Sequence, residues 1–161
     1  MKRVYFSLGS NVGAREANLK AAVQGLEDAR VNVLRTSPVY ETEPMENTKQ
    51  AWFLNLVVEG ETKLMPLQLL QRTLRIEKEM GRARRIPKGP RIIDIDILLF
   101  GHTVMNSKEL EIPHPRMTER RFVLVPLADL NPDIRHPLTG KTVREMLDAA
   151  PPGIVRPIAP K

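Results

Sequence analysis

The chain has 161 residues, 42% of them hydrophobic and 27% charged, with a formal net charge of +6 and no cysteine. That length and apolar share can furnish the core of one domain, 1–161, without metal or disulfide staples. The missing cysteines exclude disulfide frameworks, thiolate zinc sites, iron–sulfur clusters and cysteine nucleophiles, so any metal must be held by oxygen and nitrogen.

In chain order, Arg3 to Leu8 reads as a strand, and Gly9-Ser10-Asn11 reads as the turn that breaks it. Arg15 to Arg30 places Leu19, Ala22, Val23 and Leu26 at helical spacing. Val31 to Tyr40 is β-rich but interrupted by Pro38, as in an edge or bent strand. Glu43 to Ala51 is a polar loop, and Trp52 to Glu61 resumes as a strand. A second helix starts at Pro66, carries Leu67, Leu70 and Leu74 inward and stops at Gly81. Ile92 to Phe100 is the most apolar strand. After it come short strand-like pieces, the His114 to Phe122 segment, a brief Val123 to Leu130 element of helical character, a helix near Thr142 to Ala149, and an extended proline-rich tail over 151–161.

Strand, helix, strand, strand, helix, strand is the order of a ferredoxin-like α+β sandwich, a mainly antiparallel sheet with helices packed on its faces. Many functions share that scaffold, so function has to be read from side chains. No stretch approaches the roughly 20 consecutive apolar residues of a membrane span. The apolar run Val4 to Leu8 is too short for an export signal. A cytoplasmic address is expected.

The charge is concentrated. Arg72 to Arg91 holds eight basic residues against two acidic ones, which alone gives the net +6, and the rest of the chain cancels. Four arginines and a lysine between Arg82 and Arg91 would repel one another unless an anion sat among them, so the window points to a polyanion site. Beside it lies Asp94-Ile95-Asp96. On a strand, residues two apart face the same side about 6.6 Å apart, so the two carboxylates project together, interrupting a row that also carries Ile92, Leu98 and Phe100. Left alone, they would repel and desolvate each other; a divalent cation between them turns that cost into binding. Magnesium fits best, because it combines one or two carboxylates with substrate phosphates. Cations and arginines around a phosphate chain are what phosphoryl transfer requires, since that chemistry is mostly positioning and charge stabilisation. His114, held between Pro113 and Pro115 with Arg120 close behind, is either a neutral structural histidine or a second phosphate contact.

These residues match a family pattern across most of the chain. Leu8-Gly9-Ser10-Asn11, Ser37 to Thr42, Phe53-Leu54-Asn55, Glu77 to Arg82, Gly89-Pro90-Arg91 with Asp94 to Leu99, and Ile112 to Pro115 with Arg120 to Phe122 resemble the 6-hydroxymethyl-7,8-dihydropterin pyrophosphokinases. Members of that family move the terminal pyrophosphate of ATP onto the hydroxymethyl group of a reduced pterin, in folate synthesis. The resemblance implies that Asp94 and Asp96 hold two Mg²⁺ ions that bridge the ATP phosphates. It gives Arg82 and Arg84 to a mobile loop closing over the reacting phosphates. Arg91, His114 and Arg120 would contact the phosphate chain, with Glu77 and Ile97 lining the nucleotide site. The pterin would lie between the rings of Phe53 and Phe122, read at its edge by Asn55, Thr42 and the backbone around Pro44 and Met45.

A flat heteroaromatic suits a two-ring sandwich, and an Asn amide offers both donor and acceptor to a ring edge that has both. Read alone, Phe53 is equally a core residue and Glu77 equally a helix-end charge. The partners expected are small molecules, ATP and the pterin, with neither nucleic acid nor membrane, and the working unit expected is a monomer. A ferredoxin-like RNA-binding module is the competing reading, disfavoured by an aromatic inventory of one Trp, two Tyr and four Phe where such modules stack several bases. A metal-dependent nuclease using the same acids and arginines is a third.

Overall fold

The structure is a computed structural model that describes residues 1–44, 49–81 and 90–158. Strand β1 (Lys2–Ser10) leads into helix α1 (Arg15–Asp28), which buries Leu19, Ala22 and Leu26. The chain turns back through Arg30 at φ 71° into β2 (Val31–Thr36) and β3 (Tyr40–Thr42), which pair antiparallel with successive parts of β4 (Phe53–Thr62). The interruption falls where Pro38 lacks an N–H to give the ladder. Ser37 covers the gap: its N–H donates to the Val57 carbonyl at 2.9 Å, and its hydroxyl accepts from the Val57 N–H at 2.9 Å. The bent-strand expectation therefore holds.

Helix α2 (Pro66–Glu79) starts at the proline, where the absent N–H costs nothing. Just past its end lies Gly81, at φ 98°. Its buried face is Leu69, Thr73, Ile76 and Glu77, whereas Leu67 and Leu74 are 41% and 50% exposed, which corrects the expected inward stripe. Two sets of positions share helical spacing here. The one chosen brings Ile76 onto α1 at Gly25, where a Cβ would stand only 3.1 Å from Ile76 Cγ2. It also sends Glu77 to β5 (Asp94–Phe100), where its Oε2 accepts the Ile95 N–H at 2.8 Å. β5 is an edge strand, and this carboxylate covers a donor that the sheet leaves over.

A two-stranded ribbon, β6 (Met105–Asn106) and β7 (Glu111–Ile112), precedes a short 3₁₀ turn, Met117–Glu119. Then come α3 (Arg121–Leu130), α4 (Val143–Ala149) and β8 (Val155–Pro157). Thr142 and Glu145 form the reciprocal cap that starts α4. β8 lies inside the segment expected to be an extended tail, and it is a sheet strand: the order β5-β1-β4-β3-β8, with β2 also on β4, is antiparallel throughout. Its first five strands and two helices give the ferredoxin-like arrangement, with the last strand of the unit beside the first.

The sheet has a core on each face. Val4, Phe6, Leu8, Leu54, Leu56, Ile95 and Ile97 pack with α1 and α2 residues Leu19, Leu26 and Leu69. Tyr5, Val57, Leu98 and Leu99 pack with Val123, Leu124 and Leu127 of α3 and Met146 of α4. In β5 the pairing with β1 steps from Ile97 to Leu99 past Leu98. That bulge puts Leu98 and Leu99 in one core and Phe100 in the other. Phe100 therefore does not share the face of Asp94 and Asp96, as strict alternation had required. Helices α3 and α4 cover one end of their face, and the candidate site lies at the other. Among the described residues, no helix is long and apolar enough to cross a membrane.

Candidate active site

Strand register assembles the site. Gly9 on β1 stands between Asp94 of β5 and Asn55 of β4, and Ser7 stands beside Asp96. Thr42 on β3 is opposite Phe53. Side chains of paired residues share a face. Two carboxylates at one edge and a ring with an amide at the other thus end up in a single cleft of about 190 Å³. Arg91, Arg120 and Phe122 complete the walls, together with Ser7, Gly9, Glu43, Gln50 and Arg116, to which no role had been given.

Gly9 was expected in a turn, but β1 runs on through Ser10. A Cβ at Gly9 would lie 2.6 Å from Asn55 Oδ1 and 3.4 Å from Phe53 Cδ1, so the missing side chain is what lets the amide and ring reach across the strand. Asn55 is buried, and its Nδ2 donates to Thr42 Oγ1 at 2.5 Å. That bond orients the amide, with the oxygen over Gly9 and the nitrogen toward β3.

Charge gathers at the opposite end. Arg91 Nε lies 3.4 Å from Asp94 Oδ1, and the Arg120 guanidinium sits 5.5 Å from the Phe122 ring centroid, a separation at which a cation is attracted to the ring face. His114 donates its backbone N–H to Leu98 at 2.9 Å, and its Nδ1 accepts the Arg116 N–H at 3.2 Å. Burial, helped by the nearby Arg120 and Arg116 charges, pushes its pKa down from 6.5 to about 4. The ring is neutral at pH 7, and the bond accepted at Nδ1 assigns its proton to Nε2.

Asn11 ties the flanking segments together. It is 4% exposed, its Oδ1 accepts the Arg91 N–H at 2.6 Å, and its Nδ2 donates to Gln50 Oε1 at 2.9 Å and the Ala51 carbonyl at 3.0 Å. The sequence signal was the polar run after Leu8, which reads as a turn and hides a buried connector.

Of the expected site residues, Thr42, Phe53, Asn55, Arg91, Asp94, Asp96, Arg120 and Phe122 line the cleft. Ile97 and Glu77 do not: Ile97 is in the core shared with α1 and α2, and Glu77 is against the Ile95 backbone. His114 and the buried Pro44 stand next to lining residues and are not among them. Met45, Arg82 and Arg84 lie outside the described residues.

The chain is thus an α+β protein with an antiparallel sheet and a cleft that is carboxylate- and guanidinium-rich at one end and ring- and amide-lined at the other. The family model described as 7,8-dihydro-6-hydroxymethylpterin-pyrophosphokinase (HPPK) matches residues 5–132. A Bacillus subtilis protein named 2-amino-4-hydroxy-6-hydroxymethyldihydropteridine pyrophosphokinase is 49% identical over 127 residues, 78% of this chain and 76% of its own. One of the same name from Methylorubrum extorquens is 43% identical over 97% of this chain and 99% of its own. The chain belongs to the HPPK family. It also matches the folic acid synthesis protein fol1 of Pneumocystis carinii at 43% identity, covering 98% of this chain but 21% of that longer one. A solved Plasmodium falciparum HPPK-DHPS structure superposes with a TM-score of 0.74 at 17% identity, over 92% of this chain and 44% of that one, which is an agreement of fold.

Proposed function

We propose that this chain is a Mg²⁺-dependent diphosphokinase that transfers the β,γ-diphosphate of ATP to the hydroxymethyl group of 6-hydroxymethyl-7,8-dihydropterin, in folate biosynthesis. The observation that carries this reading is the joining, by strand register, of the Asp94 and Asp96 carboxylates to the Phe53 ring and Asn55 amide in one cleft. A phosphate chain and a flat heterocycle need those two ends in one cleft.

The pterin ring lies between Phe53 and Phe122, and the oriented Asn55 amide, with Thr42 and the backbone around Pro44 and Met45, reads its edge. Arg91, Arg120 and the Nε2–H of neutral His114 supply positive charge or hydrogen-bond donation to the triphosphate. Arg82 and Arg84, outside the described residues, are assigned to the same charge on the family pattern alone, as are Glu77 and Ile97 to the nucleotide side. The pterin hydroxyl oxygen forms a bond to the β-phosphorus as the bond from that phosphorus to the α,β-bridging oxygen breaks. AMP leaves, and the hydroxyl proton passes to solvent. Proximity and charge stabilisation carry the rate.

The donor set fits magnesium. Two same-face carboxylates line the cleft, and carboxylates are the donors that Mg²⁺ takes together with substrate phosphates and water. Asp94 and Asp96 would hold two such ions, whose charge offsets that of the transferring diphosphate. In this reading both substrates are small molecules, one copy of the chain walls the described cleft, and the reaction is a cytoplasmic one.

Incubation with ATP, Mg²⁺ and the reduced hydroxymethylpterin tests the reading by chromatography. Equal amounts of AMP and pterin diphosphate are expected. ADP as the nucleotide product, or AMP formed without pterin, overturns it.

A further inference from the structure

β8 brings a side chain to the strands of the cleft without entering it. It pairs Val155 with Thr42, Arg156 with Glu41 and Pro157 with Tyr40. Beyond the strand, the Ile154 N–H donates to Glu43 Oε1 at 3.0 Å and the Ile158 N–H to the Val39 carbonyl at 3.2 Å. The Arg156 guanidinium donates to Glu41 Oε1 at 2.8 Å from Nη2 and lies 4.7 Å from the centroid of Trp52. From α1, Arg15 reaches the other Glu41 oxygen at 3.0 Å and donates to the Trp52 carbonyl at 2.9 Å. Glu41 precedes Thr42 and Trp52 precedes Phe53, so one guanidinium grips the two chain positions that deliver Thr42 and Phe53. Alternation turns Glu41 to the sheet face away from the cleft. A second cavity of about 150 Å³, walled by residues from Pro151 to Val155, meets the first at Thr42, Glu43 and Phe122, so the same segment also stands behind Phe122.

We propose that Arg156 is a positioning residue for the heterocycle end of the cleft, holding β3 and the start of β4 in register through Glu41 and Trp52 so that Thr42, Asn55 and Phe53 are set before substrate arrives. It deepens the pyrophosphokinase reading and rests on it. Preorganisation of this kind acts on the affinity of the ligand those residues touch and leaves the phosphate end alone. Arg156 is 60% exposed at its side chain, which limits what the ion pair contributes. The expected effect is therefore a several-fold change and not a loss of function.

The experiment measures KM for the pterin, KM for ATP, kcat and Tm in the intact chain and in Arg156→Ala, Arg156→Lys, Glu41→Gln and the Arg156→Ala/Glu41→Gln pair. Arg156→Ala and Glu41→Gln should each raise pterin KM by about three- to tenfold, with ATP KM and kcat within about twofold. The pair should fall short of the sum of the two single variants, since the Arg156–Glu41 bond is lost in each, while Glu41→Gln alone also weakens the Arg15 pair and Arg156→Ala alone also uncovers Trp52. Arg156→Lys, which keeps the charge, should recover part of the loss. If Arg156→Ala does not fold, Glu41→Gln carries the same comparison. An unmoved pterin KM, or equal shifts in both KM values with a fall in Tm, reduces Arg156 to a structural residue and overturns the inference. An unmodified chain that makes no AMP overturns the parent reading, and this one with it.

Discussion

Replacing Asn11 with alanine removes three side-chain hydrogen bonds from a position that is 4% exposed: those to the Arg91 N–H, Gln50 Oε1 and the Ala51 carbonyl. Gln50 can turn toward water, but the Arg91 N–H and Ala51 carbonyl are backbone groups of the segments that lead into β5 and β4. At about 1–2 kcal/mol for each of these two part-buried groups left without a partner, the lower part of the usual range, the loss comes to about 2–4 kcal/mol. A small protein has roughly 5–15 kcal/mol in hand, so the chain still folds. With a urea slope of about 2 kcal/mol/M, the midpoint falls by about 1–2 M. The single tryptophan is Trp52, next to one of the broken contacts, and its fluorescence reports both the transition and the local change. Asn11→Asp separates the two halves of the effect, because it keeps an acceptor for the Arg91 N–H but sets a carboxylate against the Ala51 carbonyl. It should fall between wild type and the alanine variant in stability while losing activity like the latter. A midpoint within about 0.3 M of wild type for Asn11→Ala, with activity intact, refutes the idea that this side chain holds the two flanking segments.

Gly9→Ala places a methyl 2.6 Å from Asn55 Oδ1, so the amide must turn; pterin KM should rise about tenfold or more while ATP KM is unchanged, as steady-state kinetics would show. Asp96→Ala should lower kcat by at least about 100-fold and leave pterin affinity, measured by calorimetry, within about threefold; equal losses in both would contradict a metal role. His114 has a folded pKa of about 4 against an ordinary 6.5, so the unfolded chain binds its proton first. The stability of its neutral form is whole above pH 6.5 and is lost as pH falls toward 4, by up to about 3 kcal/mol. Urea midpoints of His114→Gln should depend less on pH over that window than those of wild type, and parallel curves would rule the assignment out.

Local chemistry carried the element order well, because Pro66, Gly81 and Pro38 each impose a backbone choice wherever they stand. It misjudged α2 at Leu67 and Leu74, which share helical spacing with the core-packed Leu70 but are exposed, while the buried face runs through Leu69, Thr73 and Ile76; only the meeting with Gly25 and Ile95 distinguishes the two sets. The bulge at Leu98 is likewise a property of two paired strands, invisible in one. Asp94 and Asp96 were legible because strand alternation is local, and the Phe53–Asn55 relation for the same reason. Ser7 and Gly9 were not, because their place in the cleft comes from pairing with Asp96, Asp94 and Asn55 across three strands. Proline spacing read 151–161 as tail, yet β8 finds its ladder on β3, more than a hundred residues earlier in the chain.

If the Asp94–Asp96 cleft transfers an intact diphosphate, the β-phosphorus of ATP becomes the phosphorus bonded to the pterin. ATP labelled at the β-phosphorus, incubated with Mg²⁺, 6-hydroxymethyl-7,8-dihydropterin and the chain, tests it directly. The label should leave the nucleotide and appear in the pterin product at the phosphorus bonded to the hydroxymethyl oxygen, with AMP unlabelled. Label retained in ADP, or released as free diphosphate with the pterin unmodified, would contradict it.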